Sequence, residues 1–124
     1  MIEPISDLPA GVLGYRVSEE LTDADYADVL SPALRAAAAR GEVRLLLAAA
    51  KGFDLMSFKS RFEDLRDDPE LDLGQSRDWK RVAVVADANF IFRAAFPAVA
   101  KAIPVETRLF GLGDEAEAKA WVVA

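Results

Sequence analysis

The sequence predicts a single α/β domain built on a mixed, mostly parallel five-stranded sheet flanked by about four helices. Two runs, Val43 to Ala50 and Val82 to Ala86, are almost wholly apolar with no polar alternation, the pattern of strands covered on both faces. Segments with apolar residues at helical spacing separate and follow them. No linker, repeat or low-complexity tract divides the 124 residues, so residues 1–124 read as one domain with one core.

The elements follow in order. Ile2 to Ile5 and Gly11 to Val17 are β-type runs joined by Ser6-Asp7-Leu8-Pro9-Ala10, a stretch of turn composition, and they predict an opening hairpin. Thr22 can cap a helix, with Asp25 three residues on to complete the box. Tyr26, Leu30 and Leu34 then lay one apolar stripe along that helix to about Arg40, where Gly41 stops it. Pro32 predicts a kink, or a restart with Ser31 as the cap.

After the central strand, Leu55, Phe58, Phe62 and Leu65 mark a second helix, ended by Asp67-Asp68-Pro69-Glu70. Asn89 can cap a third helix from Phe90 to about Ala102, with Pro97 in its interior. Val105 to Phe110 is the last strand, and Asp114 is the expected cap of a last helix, Glu115 to Val123. Repeated right-handed β-α-β crossovers are expected to place helices on both faces of the sheet.

Composition removes most familiar chemistries. There is no histidine and no cysteine, which excludes the Ser-His-Asp triad, thiolate nucleophiles and Cys- or His-based zinc sites. A net charge of −6 argues against general affinity for nucleic acid or anionic membranes, and no apolar run approaches the ~20 residues of a membrane span. Without a signal-like start the expected location is cytoplasmic. No metal and no cofactor are expected.

Several motifs read as structure. Gly111-Leu112-Gly113-Asp114-Glu115-Ala116 fits the spacing of a dinucleotide loop, but the second strand and ribose-binding acid are missing, and Asp114 and Glu115 would repel a pyrophosphate. Asp67, Asp68, Glu70 and Asp72 lack the turn glycine and final glutamate of a calcium loop. Arg77, Lys80 and Arg81 interleave with Trp79, which is read as closing the core edge while its basic neighbours face water. The carboxylate pairs Asp23 with Asp25 and Glu63 with Asp64 do not define a cleft, so no catalytic residue is assigned.

The aromatic residues of the second and third helices are the most suggestive set. Phe92, Phe96 and Val99 form a core stripe, while Phe90, Ala94 and Ala98 give the same helix a second apolar side that something must cover. Core packing, a second subunit in a homodimer, or an apolar ligand lying against Leu55, Phe58, Phe62, Phe90, Phe92 and Phe96 would each do so.

Asp25-Tyr26 with Val29-Leu30, Pro32 and Leu34, then Val43-Arg44-Leu45-Leu46, Asp78-Trp79-Lys80-Arg81-Val82-Ala83-Val84-Val85-Ala86-Asp87, and Glu117-Ala118-Lys119-Ala120-Trp121 together resemble the SpoIIAA-like family of small bacterial proteins. The resemblance covers nearly the whole chain. It implies a STAS-type fold, with similarity to lipid-carrier domains of the CRAL-TRIO type, and a role in binding a nonpolar ligand without enzyme activity. It also implies a second role. Anti-sigma factor antagonists carry a phosphorylated serine after the central strand in a D-S-x-G-like motif, where this chain has Phe53-Asp54-Leu55-Met56-Ser57-Phe58. Ser57 falls near that place and the following glycine is missing; helix capping by Asp54 or Ser57 is the structural reading of the same residues.

Two functions are therefore expected from the sequence. The first is a non-enzymatic carrier or sensor of a lipid-like molecule, and the second a protein-interaction domain switched by phosphate at Ser57.

Overall fold

The computed structural model describes residues 2–50, 60, 63–64, 67, 79–87, 90–101 and 105–124, without the side chains of 90–92, 95 and 99. Strands β1 (Ile2–Pro4), β2 (Val12–Val17), β3 (Val43–Ala49), β4 (Trp79–Ala86) and β5 (Glu106–Gly111) form one sheet in that spatial order. The β1/β2 pair is antiparallel and the other three pairs are parallel. The opening hairpin and both doubly buried strands agree with the sequence, since β3 is buried from Leu45 to Ala49 and β4 from Val82 to Ala86.

Three helices flank this sheet among the described residues, where about four were expected. Helix α1 spans residues 23–39, α2 is Phe90–Lys101 and α3 is Glu115–Val123. The helix expected around Leu55, Phe58, Phe62 and Leu65 lies outside the described residues, apart from helical Ser60, Glu63 and Asp64.

Helix α1 opens on the expected capping box. Asp25 N–H donates to Thr22 Oγ1 at 3.1 Å, and Thr22 N–H donates to Asp25 Oδ2 at 3.2 Å. Burial pushes the Asp25 carboxyl up, but the Thr22 hydrogen bonds help to outweigh it and leave its pKa below the usual value. Pro32 neither breaks the helix nor makes Ser31 a side-chain cap. Tyr26–Leu30 is a π-helical turn, in which Ser31 N–H reaches back five residues to Tyr26 O, and Ser31–Ala39 continues as α-helix. Pro32 has no N–H to offer and its ring crowds the carbonyl one turn back, so the wider turn just ahead of it accommodates the residue. Gly41 ends the helix at φ +89°, a left-handed conformation that glycine adopts without strain.

The sheet has two differently built faces. Val17, Val43, Leu45, Leu47, Val82 and Val84 point to one, where Leu30 and Leu34 of α1 and Phe96 of α2 close over them. Leu46, Ala48, Ala83 and Val85 point to the other and meet Ala118 and Val122 of α3. Helices do cover both faces, but the two described crossover helices lie on the same one. The β2-to-β3 and β4-to-β5 connections step the same way across the sheet, so crossovers of one hand put α1 and α2 on the same face. Helix α3 follows β5 and takes the other face.

A bulge sets which side chains face which helix. Val43 pairs with Trp79 but Arg44 pairs with Arg81, leaving Lys80 as the extra residue. This switches the alternation of β4, so Trp79 joins the α1 face at 6% exposure while Arg81 turns to the α3 face. At the hairpin end, Gly14 allows a close approach: a Cβ there would collide with Cδ1 of Leu8, from the β1/β2 connection.

Candidate functional site

Because β3, β4 and β5 are parallel, their carboxyl ends at Ala49, Ala86 and Gly111 share one end of the sheet. In open α/β sheets ligands bind outside the carboxyl ends of the strands. β3 is tied there to its neighbour by Ala50 N–H, which donates to Val17 O at 2.7 Å. Ser57 follows seven residues later and lies outside the described residues.

At the β5 end of this rim, a 3-10 turn (Leu112–Asp114) links the strand to α3. Asp114 takes the N-cap position of α3, but its side chain makes no cap hydrogen bond, contrary to the sequence expectation. Instead it lines a recess of about 180 Å³, together with Arg93 from α2, Arg108 and Gly111 from β5, and Glu117 from α3. The volume falls below the roughly 300 Å³ at which sites for drug-sized ligands begin. Arg108 also stacks on Phe110, with its guanidinium carbon 4.9 Å from the ring centre. Leu112, next in sequence to Gly111, is 54% exposed, the most exposed large apolar side chain described. The recess therefore offers charges of both signs, a surface for polar recognition rather than a pocket for a lipid.

The aromatic set is only partly placed. Leu55, Phe58 and Phe62 lie outside the described residues, as do the side chains of Phe90 and Phe92. Phe96 is buried at 7% exposure within the core on the α1 face, which accounts for it as packing. Of the expected second apolar side of α2, Phe90, Ala94 and Ala98, the two alanines are exposed and the Phe90 side chain lies outside the described residues.

Of the basic cluster near Trp79, Arg77 lies outside the described residues, and Arg81 has a structural role that the sequence did not suggest. Arg81 donates to Trp121 O at 2.7 Å, lies 4.7 Å from the Trp121 ring centre and pairs with Glu106 at 3.3 Å. Arg44 donates to Val122 O at 2.6 Å and Ala124 O at 3.2 Å. Helix C-termini carry unpaired carbonyls and partial negative charge, and α3 has no basic residue in its own last turn. Two arginines from the centre of the sheet supply what the helix lacks. The signal was present in the sequence as single arginines interrupting otherwise buried strands, at Arg44 and Arg81.

Among the described residues, the perturbed titrating groups serve the fold. Burial pushes the Tyr15 phenol up, in the core on the α1 face, and the lowered Asp25 carboxyl belongs to the α1 cap. Neither lines the recess. Among the described residues, no three or more acidic side chains gather as a metal site, and no helix is long and apolar enough to cross a membrane.

The SpoIIAA-like family model matches residues 12–123, from the first residue of β2 to the last of α3. The chain belongs to the SpoIIAA-like family. No curated protein and no solved structure matches it. The five-stranded mixed sheet agrees with the STAS-type fold that resemblance to this family implied, and the match spans every described element except β1.

Proposed function

We propose that this chain is a non-enzymatic regulatory module of the anti-sigma factor antagonist type, which binds a protein partner through the carboxyl rim of its sheet and is switched by phosphorylation of Ser57. The observation that carries the reading is the SpoIIAA-like match over residues 12–123. Its chemistry is consistent with the composition, which lacks histidine and cysteine but retains a serine soon after the central strand. A phosphate there adds about two negative charges, enough to repel an acidic partner surface or recruit a basic one. The exposed Leu112 and the charged recess at the β5 end of the rim supply the mixed apolar and polar contact that protein interfaces use.

Intact-mass analysis after incubation with ATP and lysate of the native host tests the switch. One phosphate should appear on the wild-type chain and none on Ser57→Ala. A wild-type chain that stays unmodified, or a Ser57→Ala chain modified to the same extent, overturns the assignment.

A further inference from the structure

An open sheet has two edges, and those of this protein differ in protection. β1 has three residues and contains Pro4, whose missing N–H blunts strand addition. β5 has six residues and contains neither proline nor lysine, and its pairing with β4 runs without a bulge from Arg81↔Glu106 to Ala86↔Gly111. Among the described residues no strand pairs with its outer side.

We infer that β5 is a self-pairing edge, through which two copies of this chain join antiparallel about a two-fold axis at Thr107. The sequence of the strand selects that register. With Thr107 opposite its own image, Glu106 faces Arg108 of the second copy and Arg108 faces its Glu106, which gives two opposite-charge cross-strand pairs. In the same register Val105 faces Leu109 of the second copy on the other side of the sheet, and the two threonines meet at the centre. Moving the axis by one residue places either two Arg108 or two Glu106 side chains in opposition, so like charges exclude both neighbouring symmetric registers.

The exposure of these residues fits the arrangement. Glu106 and Arg108 are exposed, and Val105, Thr107 and Leu109 are half-buried. Val105 and Leu109 already pack against the core on the α1 face, so a second β5 would extend that core across the axis. The Glu106 side chain remains 62% exposed despite its contact with Arg81, leaving it accessible to a second cation. A two-fold axis perpendicular to the sheet makes the contact isologous and closed, with one continuous ten-stranded sheet rather than an open chain of subunits. A single strand pair is smaller than the roughly 1,200 Å² of stable complexes, so the dimer forms with rising concentration rather than permanently.

Sedimentation equilibrium from about 10 μM to about 1 mM reads the association constant. The wild-type chain should show a monomer–dimer equilibrium. Glu106→Arg and Arg108→Glu should each weaken it at least about tenfold, and the two variants mixed should associate with each other. The doubly exchanged chain, E106R/R108E, should regain the homodimer. Amide hydrogen exchange adds a readout that needs no variant: protection across residues 105–109 should rise with wild-type concentration. The inference is overturned by a wild-type chain monomeric throughout, by single variants that associate like wild type, by exchanged pairs that fail to recover association, or by protection that rises elsewhere but not in β5.

Discussion

The two faces of the sheet are held together by different physics. On the α1 and α2 face, large aliphatic side chains dominate: Val43, Leu45, Leu47, Leu30 and Leu34 are each at or below 1% exposure. On the α3 face, Ala48, Ala83 and Ala118 let a short helix approach closely, and two arginines from the sheet pin its C-terminal end. The first face is stabilised mainly by apolar area removed from water. The second combines a smaller apolar contact with directed hydrogen bonds from arginine to carbonyls at the helix end. A crossover helix is fixed at both ends by the strands it joins, whereas α3 follows the last strand and is secured at its far end by charge.

This contrast can be broken or sharpened by substitution. The largest effect is expected from Leu47→Ala, which empties a fully buried position on the aliphatic face and should destabilise by about 3–5 kcal/mol in urea unfolding. A cost no larger than that of Val122→Ala on the α3 face would remove the distinction between the faces. Next comes Arg81→Met, which keeps the apolar stem but removes the charged donor from Trp121 O and leaves it only the Ala124 N–H, for about 1–3 kcal/mol. Its signature is local: amide exchange in the last turn of α3 should accelerate before that of α1, and equal acceleration in both helices would sink the clasp.

The smallest effect belongs to the α1 cap. Thr22→Ala should cost about 1 kcal/mol at neutral pH. Because the folded Asp25 carboxyl sits below its unfolded value, its stabilisation is fully present above the unfolded carboxyl pKa of about 3.9 and is lost as pH falls through the folded one. The stability gap between wild type and Thr22→Ala should therefore narrow in acid. A gap constant down to pH ~2 would show that the carboxylate is not part of the cap.

Much of this architecture is legible in the residues. The runs Val43 to Ala50 and Val82 to Ala86 announce central strands because burial on both faces leaves no room for polar alternation. Thr22 and Asp25 announce the start of α1 because a capping box is local and needs no tertiary partner. The role of Arg81 was hidden, since its acceptor Trp121 O lies 40 residues away. Trp79 and Arg81 would share a face by simple alternation, and only the bulge at Lys80 separates them. At the rim, Asp114 looked like a cap because the sequence shows a helix start but not the 3-10 turn that carries its side chain into the recess.

The sequence by itself determined the fold class, the order of strands and helices, and the SpoIIAA-like resemblance, because these rest on periodicity, caps and turns set by neighbouring residues. Tertiary structure alone decided that α1 and α2 share one face while α3 takes the other, that Arg44 and Arg81 serve a helix end, and that β5 is the edge of the described sheet beside a charged recess. Each of these depends on which distant segments meet, and that is fixed by the direction of the crossovers and the register of the sheet.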